Sequence, residues 1–338
     1  MDITEKLTLI KRNLQEIIGE DELLELLNKK KSPVVYWGTM PTGSPHIAYF
    51  LPLLKIKDFL NAGLIVKILI ADLHAALNGV SWEILDKRQK YYEALMPAML
   101  KALDVNIEKL EFVKGSKLQL QKEYFADLLK MSMVSHVKDA IKAASEVVKM
   151  DENPKLGNIL YPLMQALDEE YLKADIQFGG LDQRKIFVFA REYLPKIGYR
   201  SRIELMNPII PGLIGEKMSS SMPGSKIDAL DDEATVNKKI KEAVCEAGNP
   251  NNGIMAFLKY VIFTIKKDKK QSFIMERPEK FGGNAAYHSY EQLEKDFIEK
   301  KAHPQDIKNT LAKEINKLLE QVRKEKKLFK LYNEAYPK

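Results

Sequence analysis

What this chain of 338 residues lacks narrows the reading first. It has a single cysteine, Cys245, so no internal disulfide can form and a disulfide-stapled secreted scaffold is excluded. No apolar run approaches the ~20 residues of a membrane span, and no N-terminal apolar segment resembles a signal peptide. A soluble, cytoplasmic protein is expected. Five histidines and one cysteine, scattered along the chain, make no zinc-type cluster, so no structural metal is expected. Neither GxGxxG nor a Walker A sequence occurs, which leaves a dinucleotide fold or a P-loop enzyme without support. Internal repeats and low-complexity segments are absent too.

What is present is an alternation. The stretches 33–38 (PVVYWG), 64–72 (LIVKILIAD), 111–115 (EFVKG) and 175–180 (DIQFGG) read as short buried strands, each separated from the next by enough chain for a helix. That rhythm predicts an α/β fold with a doubly wound parallel sheet. Two amphipathic stretches, LTLIKRNLQEII and DELLELLNKK, precede the first strand and read as helices. After about residue 231 no convincing strand remains and the chain reads as helical, so we expect domains at 1–230 and 231–338. Charge divides in the same place: the segment from Asp231 onward holds 22 Lys and Arg against 17 Asp and Glu, most of the net +6. Single runs such as KKDKKQ are ordinary solvated helix faces, but their concentration in one segment suggests a polyanion partner, nucleic acid above all.

The stretch YWGTMPTGSPHIAYF, residues 36–50, ends the first strand and opens a helix. Ser44 and Pro45 read as N-cap and first helical residue, which places His46 in the first turn, beyond the carboxyl end of a strand. A helix N-terminus there offers free N–H groups to a phosphate, and His46 adds a donor. By itself a first-turn histidine is more often a capping or packing residue. A second stretch, GLIGEKMSSSMPGS (212–225), sets one lysine before three hydroxyl residues between glycines, a loop able to wrap phosphate oxygens, although alone it would read as an ordinary loop. A third, LYPLMQALDEEYL (160–172), is an apolar helix interrupted by Tyr161, Gln165 and Asp168, which at about 100° per residue fall within an arc of about 60°. A buried helix avoids such a polar stripe unless something pairs with it: an internal hydrogen-bond network, or a polar aromatic ligand.

Together, PHIA and KMSSS resemble the paired signatures of class I aminoacyl-tRNA synthetases. With LIADLHAAL, DIQFGGLDQRKIF, LMNPIIPGLIGEKMSSS, FGGN and HPQDIK, essentially the whole chain resembles the tyrosyl-tRNA synthetases of eukaryotes and archaea. The resemblance implies a Rossmann-like (HUP-type) catalytic domain, a helical anticodon-binding domain, and a ligase that joins tyrosine to tRNA-Tyr through a tyrosyl-adenylate. ATP is then a substrate, accompanied by Mg2+. Tyr36 and Asp168 fall at the tyrosine hydroxyl, with Tyr161, Gln165 and Gln183 at its ammonium group. Such a site rejects phenylalanine by leaving buried polar groups unpaired, a rule for which the tyrosine enzymes are themselves the worked example, and no editing domain is needed.

His46 and Lys217 are implied at transition-state phosphates with Ser219 and Ser220, and Gly38, Thr39, Gly43 and Ala48 at the nucleotide. Gly180 and Asp182 fall at the ribose, and Met206 and Met218 near ATP, with adenine against 205–208 (LMNP). Phe281 is placed to stack an anticodon base, Asp306 to read a guanine edge and Lys308 to support them. Homodimerisation is implied, with residues 131–137 (MSMVSHV) as interface.

Two departures stand out. Ala48 and Tyr49 replace the last two residues of a His-x-Gly-His motif. Ser220 replaces the second lysine of Lys-Met-Ser-Lys-Ser, so another positive charge, magnesium by default, has to serve the leaving pyrophosphate. The chain runs to Lys338 with no counterpart of the extra C-terminal domain of some animal relatives, so roles tied to that domain are not expected. The competing readings are a tryptophanyl-tRNA synthetase, a small-molecule nucleotidylyltransferase and a non-catalytic RNA-binding paralogue. The Tyr36/Asp168 pair argues against the first, the basic helical segment against the second, and the joint presence of His46, Lys217 and the polar stripe against the third.

Overall fold

The computed structural model describes residues 1–148, 150, 152–214, 218 and 223–337, Pro223 by its backbone alone. Six strands form one sheet: β1 (Glu16–Ile18), β2 (Val34–Thr39), β3 (Ile65–Ile70), β4 (Leu110–Lys114), β5 (Ile176–Gly180) and β6 (Ile203–Asn207), in the order β1-β6-β5-β2-β3-β4. Five run parallel, and β1 pairs antiparallel with β6. The winding reverses between β2 and β5, since β3 and β4 are added on one side of β2 and β5 and β6 on the other. A crevice beyond the carboxyl ends of β2 and β5 is the consequence, and in open α/β sheets that is where ligands bind. Val35, Val66, Ile68, Ile70, Ile176, Phe178 and Leu205 are buried on this sheet against the Phe50–Asn61 and Trp82–Ala102 helices. Pro52 lies in the first turn of the former, where its missing N–H breaks no helical bond.

The structure corrects several expectations. The first amphipathic stretch is not one helix. It stops at Lys11, and Glu16–Ile18 is an edge strand whose pairing with β6 wins over the helical periodicity. β6 was not legible as a strand because Glu204 and Asn207 break its apolar run. The segment after residue 231 is mostly helical but contains a hairpin, β7 (Phe273–Met275) with β8 (Ala285–Tyr287).

His46 is also not in a helical turn. Ile47 N–H donates to the Ile227 carbonyl at 2.9 Å and Ala229 N–H to the Pro45 carbonyl at 3.1 Å, an antiparallel bridge that pairs His46 with Asp228. This bridge holds His46 extended, with φ −121° and ψ 176°, so the 3₁₀ turn Ile47–Tyr49 starts one residue later.

The C-terminal helices share the apolar core of the sheet. The Lys327–Ala335 helix lies on the Trp82–Ala102 helix, with Tyr91 edge-on to Tyr332 and Tyr336 at 5.7 and 5.8 Å between ring centres. Arg12, just past the first helix, joins Asp58 of the Phe50–Asn61 helix to Asp268 of the Phe263–Asp268 helix.

Candidate active site

A cavity of about 310 Å³ opens at the β2/β5 reversal, walled by Tyr36, Gly38 and Thr39 of β2, by Gly180 at the end of β5 with Asp182 and Gln183 after it, and by Tyr161, Gln165 and Asp168 of the Leu156–Tyr171 helix. His46 and Ala48 close its outer end. The structure therefore brings together eleven of the residues singled out from sequence. Two glycines border it tightly. A Cβ on Gly179 would lie 2.7 Å from Cζ of the buried Phe187, so that position needs the bare backbone, while one on Gly180 would lie 2.6 Å from the Asp182 carboxylate and would push that side chain aside.

At the inner end stands Asp168, 1 % exposed. Its Oδ1 accepts from the Gln119 amide at 2.8 Å and from the Tyr124 hydroxyl at 2.9 Å, and Oδ2 accepts from the same amide at 3.1 Å. Burial pushes this carboxyl up to about 7, and those hydrogen bonds only partly hold it down. Tyr36 faces it from β2. Its hydroxyl accepts from the Gln177 amide at 2.6 Å, donates to the Gln165 carbonyl at 3.3 Å, and is pushed well above its ordinary range by burial and then by Asp168. A hydroxyl donor and a carboxylate acceptor thus share one end of a closed, largely apolar slot. At the other end the Gln165 amide donates to Gln183 Oε1 at 3.1 Å, and the Tyr161 hydroxyl rests on the Met40 sulfur at 3.4 Å, a weak acceptor.

Gln119, Tyr124, Gln177, His74 and Met40 were not identified from sequence. Gln177 had a visible signal, a lone amide inside an apolar strand. Gln119 and Tyr124 lie 49 and 44 residues from Asp168 on other elements, and nothing local marks them.

A second, larger cavity of about 1620 Å³ adjoins the first and shares Met40, Thr42, His46 and Tyr49 with it. Gly43, Ser44, Arg88, Lys155, Met218, Lys226 and Asp228 line it. Arg88 donates to the carbonyls of Thr42, Pro41 (3.5 Å) and Ala335 (3.3 Å), which fixes the loop after β2 to the end of the last helix. Met206 is placed elsewhere: it is buried in β6 while Asn207 and Pro208 of the same stretch reach the first cavity. Lys217, Ser219 and Ser220 lie outside the described residues.

In the C-terminal part, Phe281 is 62 % exposed at a turn closed by Gly282 and Gly283, both with positive φ. Asp306, in the first turn of the Pro304–Arg323 helix, lines a groove of about 680 Å³ with Arg277, Lys308 and Lys313. Lys308 donates to the Lys241 and Ala243 carbonyls at 2.6 and 3.0 Å, so its ammonium group caps a helix end.

A carboxylate and a phenol at the floor of a slot, a larger chamber beside it, and a histidine lining both form a composite ligand site at the point where the sheet's winding reverses. Residues 28–320 match the class I tRNA synthetases of the tryptophan and tyrosine type, and the chain belongs to that family. Within it the similarity is to tyrosine enzymes. The chain is 53 % identical to the cytoplasmic tyrosine–tRNA ligase of Gallus gallus, over 98 % of this chain and 63 % of the relative. It is 46 % identical to the cytoplasmic tyrosine–tRNA ligase of Saccharomyces cerevisiae, over 100 % of this chain and 88 % of the relative. The crystal structure of a tyrosyl-tRNA synthetase from Archaeoglobus fulgidus, complexed with L-tyrosine, superposes with a TM-score of 0.88 at 39 % identity, covering 96 % of this chain and 99 % of that one. The chain spans about 63 % of the length of the vertebrate relatives it matches.

Proposed function

We propose that the chain is a cytoplasmic tyrosine–tRNA ligase that forms tyrosyl-adenylate from tyrosine and ATP and passes the tyrosyl group to tRNA-Tyr. The observation that carries this reading is the facing pair Tyr36 and Asp168 at the closed end of the 310 Å³ cavity. A phenol hydroxyl both donates and accepts one hydrogen bond, so it satisfies Asp168 and Tyr36 together, whereas an indole N–H only donates and leaves Tyr36 unmatched. Gln165, Gln183 and Tyr161 then meet the ammonium group, and the carboxylate end points to the larger cavity.

There the tyrosine carboxylate oxygen attacks the α-phosphorus, the bond to pyrophosphate breaks, and later the terminal tRNA ribose hydroxyl attacks the tyrosyl carbonyl and releases AMP. No protein nucleophile is required, and catalysis consists of alignment and charge stabilisation. His46 serves the phosphates, and the same role is assigned from the sequence to Lys217, Ser219 and Ser220; Gly38, Thr39, Gly43, Ala48 and Met218 shape the nucleotide path, and Gly180 and Asp182 hold the ribose. Mg2+ fits as a companion of the ATP phosphates rather than as a resident ion, because Asp228, the carboxylate nearest His46 in the chamber wall, is already paired with Lys226 at 3.0 Å. It would supply charge to the leaving group.

In this reading residues 1–230 activate tyrosine and residues 231–338 read the anticodon, with Phe281 stacking a base and Asp306 accepting from a guanine. The enzyme acts as a homodimer. Phe125, Leu129 and Met133 leave an apolar line exposed at helical spacing on the Lys122–Val134 helix, Val137 is exposed at the start of the next helix, and Met131 points into the core. Pyrophosphate exchange across the twenty amino acids is the test: exchange with tyrosine and not with tryptophan or phenylalanine is expected, and exchange without amino-acid preference overturns it.

A further inference from the structure

His74 lines the small cavity and has no part in the account above. It sits on the Asp72–Leu77 helix just after β3, is 2 % exposed, and packs edge-on against Tyr161 with ring centres 4.6 Å apart. Its two nitrogens have different surroundings. Nδ1 lies 3.2 Å from the Gln119 amide nitrogen, and that same nitrogen lies 2.8 and 3.1 Å from the Asp168 oxygens. An ionised carboxylate only accepts, so the amide nitrogen is the donor, and a donor facing Nδ1 makes Nδ1 an acceptor. The neutral ring then carries its proton on Nε2. Among the described residues Nε2 has no hydrogen-bond partner, and it lies 3.8 Å from Asp168 Oδ2.

The Tyr161 backbone carbonyl gives the ring some support, but a buried N–H that makes no well-formed hydrogen bond still bears most of its desolvation cost, so a site that keeps one has a use for it. We propose that His74 is a positioning residue for tyrosine selection: when the substrate phenol fills the cavity, the Nε2–H closes onto Asp168 Oδ2, holding the carboxylate ionised with an oxygen lone pair aimed at the phenol hydrogen. This rests on the tyrosine reading above. Closing 3.8 Å to the roughly 3.2 Å of an N–H···O bond takes only a small tilt of the ring. Burial lowers the imidazole to about 4, which keeps it a neutral donor.

The groups around Asp168 are few. Gln119 and Tyr124 bond it, Tyr36 and Tyr161 face it as uncharged phenols, and Glu169 is its neighbour on the same helix, itself raised by burial. No cation touches it among the described residues, so a single added neutral donor has leverage.

The experiment compares His74→Leu, which keeps bulk and removes the donor, with His74→Gln, which returns an N–H, in the full chain, each checked for folding by thermal unfolding. Tyrosine binding is titrated from pH 5.5 to 8.5, alongside pyrophosphate exchange with tyrosine and phenylalanine. In the Leu variant we expect tyrosine binding about tenfold weaker, the size of one lost hydrogen bond. Its acid limb should move to higher pH and its preference over phenylalanine should fall, with the KM for ATP within about twofold of the parent. The Gln variant should recover most of both effects. Equal acid limbs and equal preference in the two variants would assign His74 to packing against Tyr161 and overturn the proposal. If the Leu variant does not fold, His74→Asn, whose amide is too short to reach, takes its place in the comparison. A parent chain that fails to prefer tyrosine at all refutes the substrate reading instead, and the two failures are distinguishable.

Discussion

Replacing Asp168 by Asn removes a charge with almost no change of shape, and it should loosen tyrosine selection while making the ligand-free protein more stable at neutral pH. The binding side is the loss of a charged acceptor for the phenol, about 1.5–3 kcal/mol, or about 10–150-fold in tyrosine affinity. On the stability side, burial raises the folded-state carboxyl to about 7, against an ordinary value near 3.9. Below about pH 4 the group is protonated in both folded and unfolded chains and costs nothing. Between there and about pH 7 the unfolded chain ionises while the fold resists, so the native state loses stability as pH rises, about 4 kcal/mol over the window and about 3 kcal/mol of it between pH 5 and 8. Asparagine does not titrate and escapes that loss. Thermal unfolding at pH 5 and pH 8 should therefore show the variant gaining on the parent by several degrees at the higher pH, while tyrosine titration shows it binding worse. A gap in Tm that is the same at both pH values would refute the burial argument; unchanged tyrosine affinity would refute the pocket assignment.

Three further outcomes are expected. Phe281→Ala should raise the KM for tRNA by an amount worth about 1–3 kcal/mol if a base stacks there, and because the ring is 62 % exposed the Tm should not move; unchanged charging kinetics would make it a turn residue only. Met133→Glu, at a side chain 84 % exposed in the apolar line, should shift the chain from dimer to monomer in light scattering without unfolding it. Arg12→Ala leaves Asp58, 4 % exposed, with Lys55 alone at 3.1 Å, and should cost about 3 kcal/mol in urea unfolding, near the low end for a broken buried pair.

How much of this was legible in the sequence depends on how local the cause is. Val34–Thr39 and Ile65–Ile70 are apolar runs buried on both faces, and they read as strands directly. The edge strand Glu16–Ile18 has three residues and exists only because β6 pairs with it, so no local pattern encodes it. At the site, Tyr161, Gln165 and Asp168 were visible as a polar stripe because helical spacing is local. What holds the Asp168 carboxyl in its buried place comes from Gln119 and Tyr124 on separate helices, and such partners are fixed by tertiary packing alone. The extended His46 was misread for the same reason: its bridge partner Asp228 is supplied from far along the chain.

Arg88 has a consequence for the order in which the molecule is made. Its guanidinium gathers carbonyls from residues 41 and 42 and from Ala335, and its face lies 4.8 Å from the Tyr336 ring, so the wall of the larger cavity includes the Lys327–Ala335 helix. On a ribosome the sheet and the smaller cavity can assemble early. The chamber next to them stays one side short until residues 327–336 have emerged and docked on the Trp82–Ala102 helix. Completion of the larger cavity then waits on residues 327–336, and a chain that lacked them would carry the smaller pocket without the full chamber beside it.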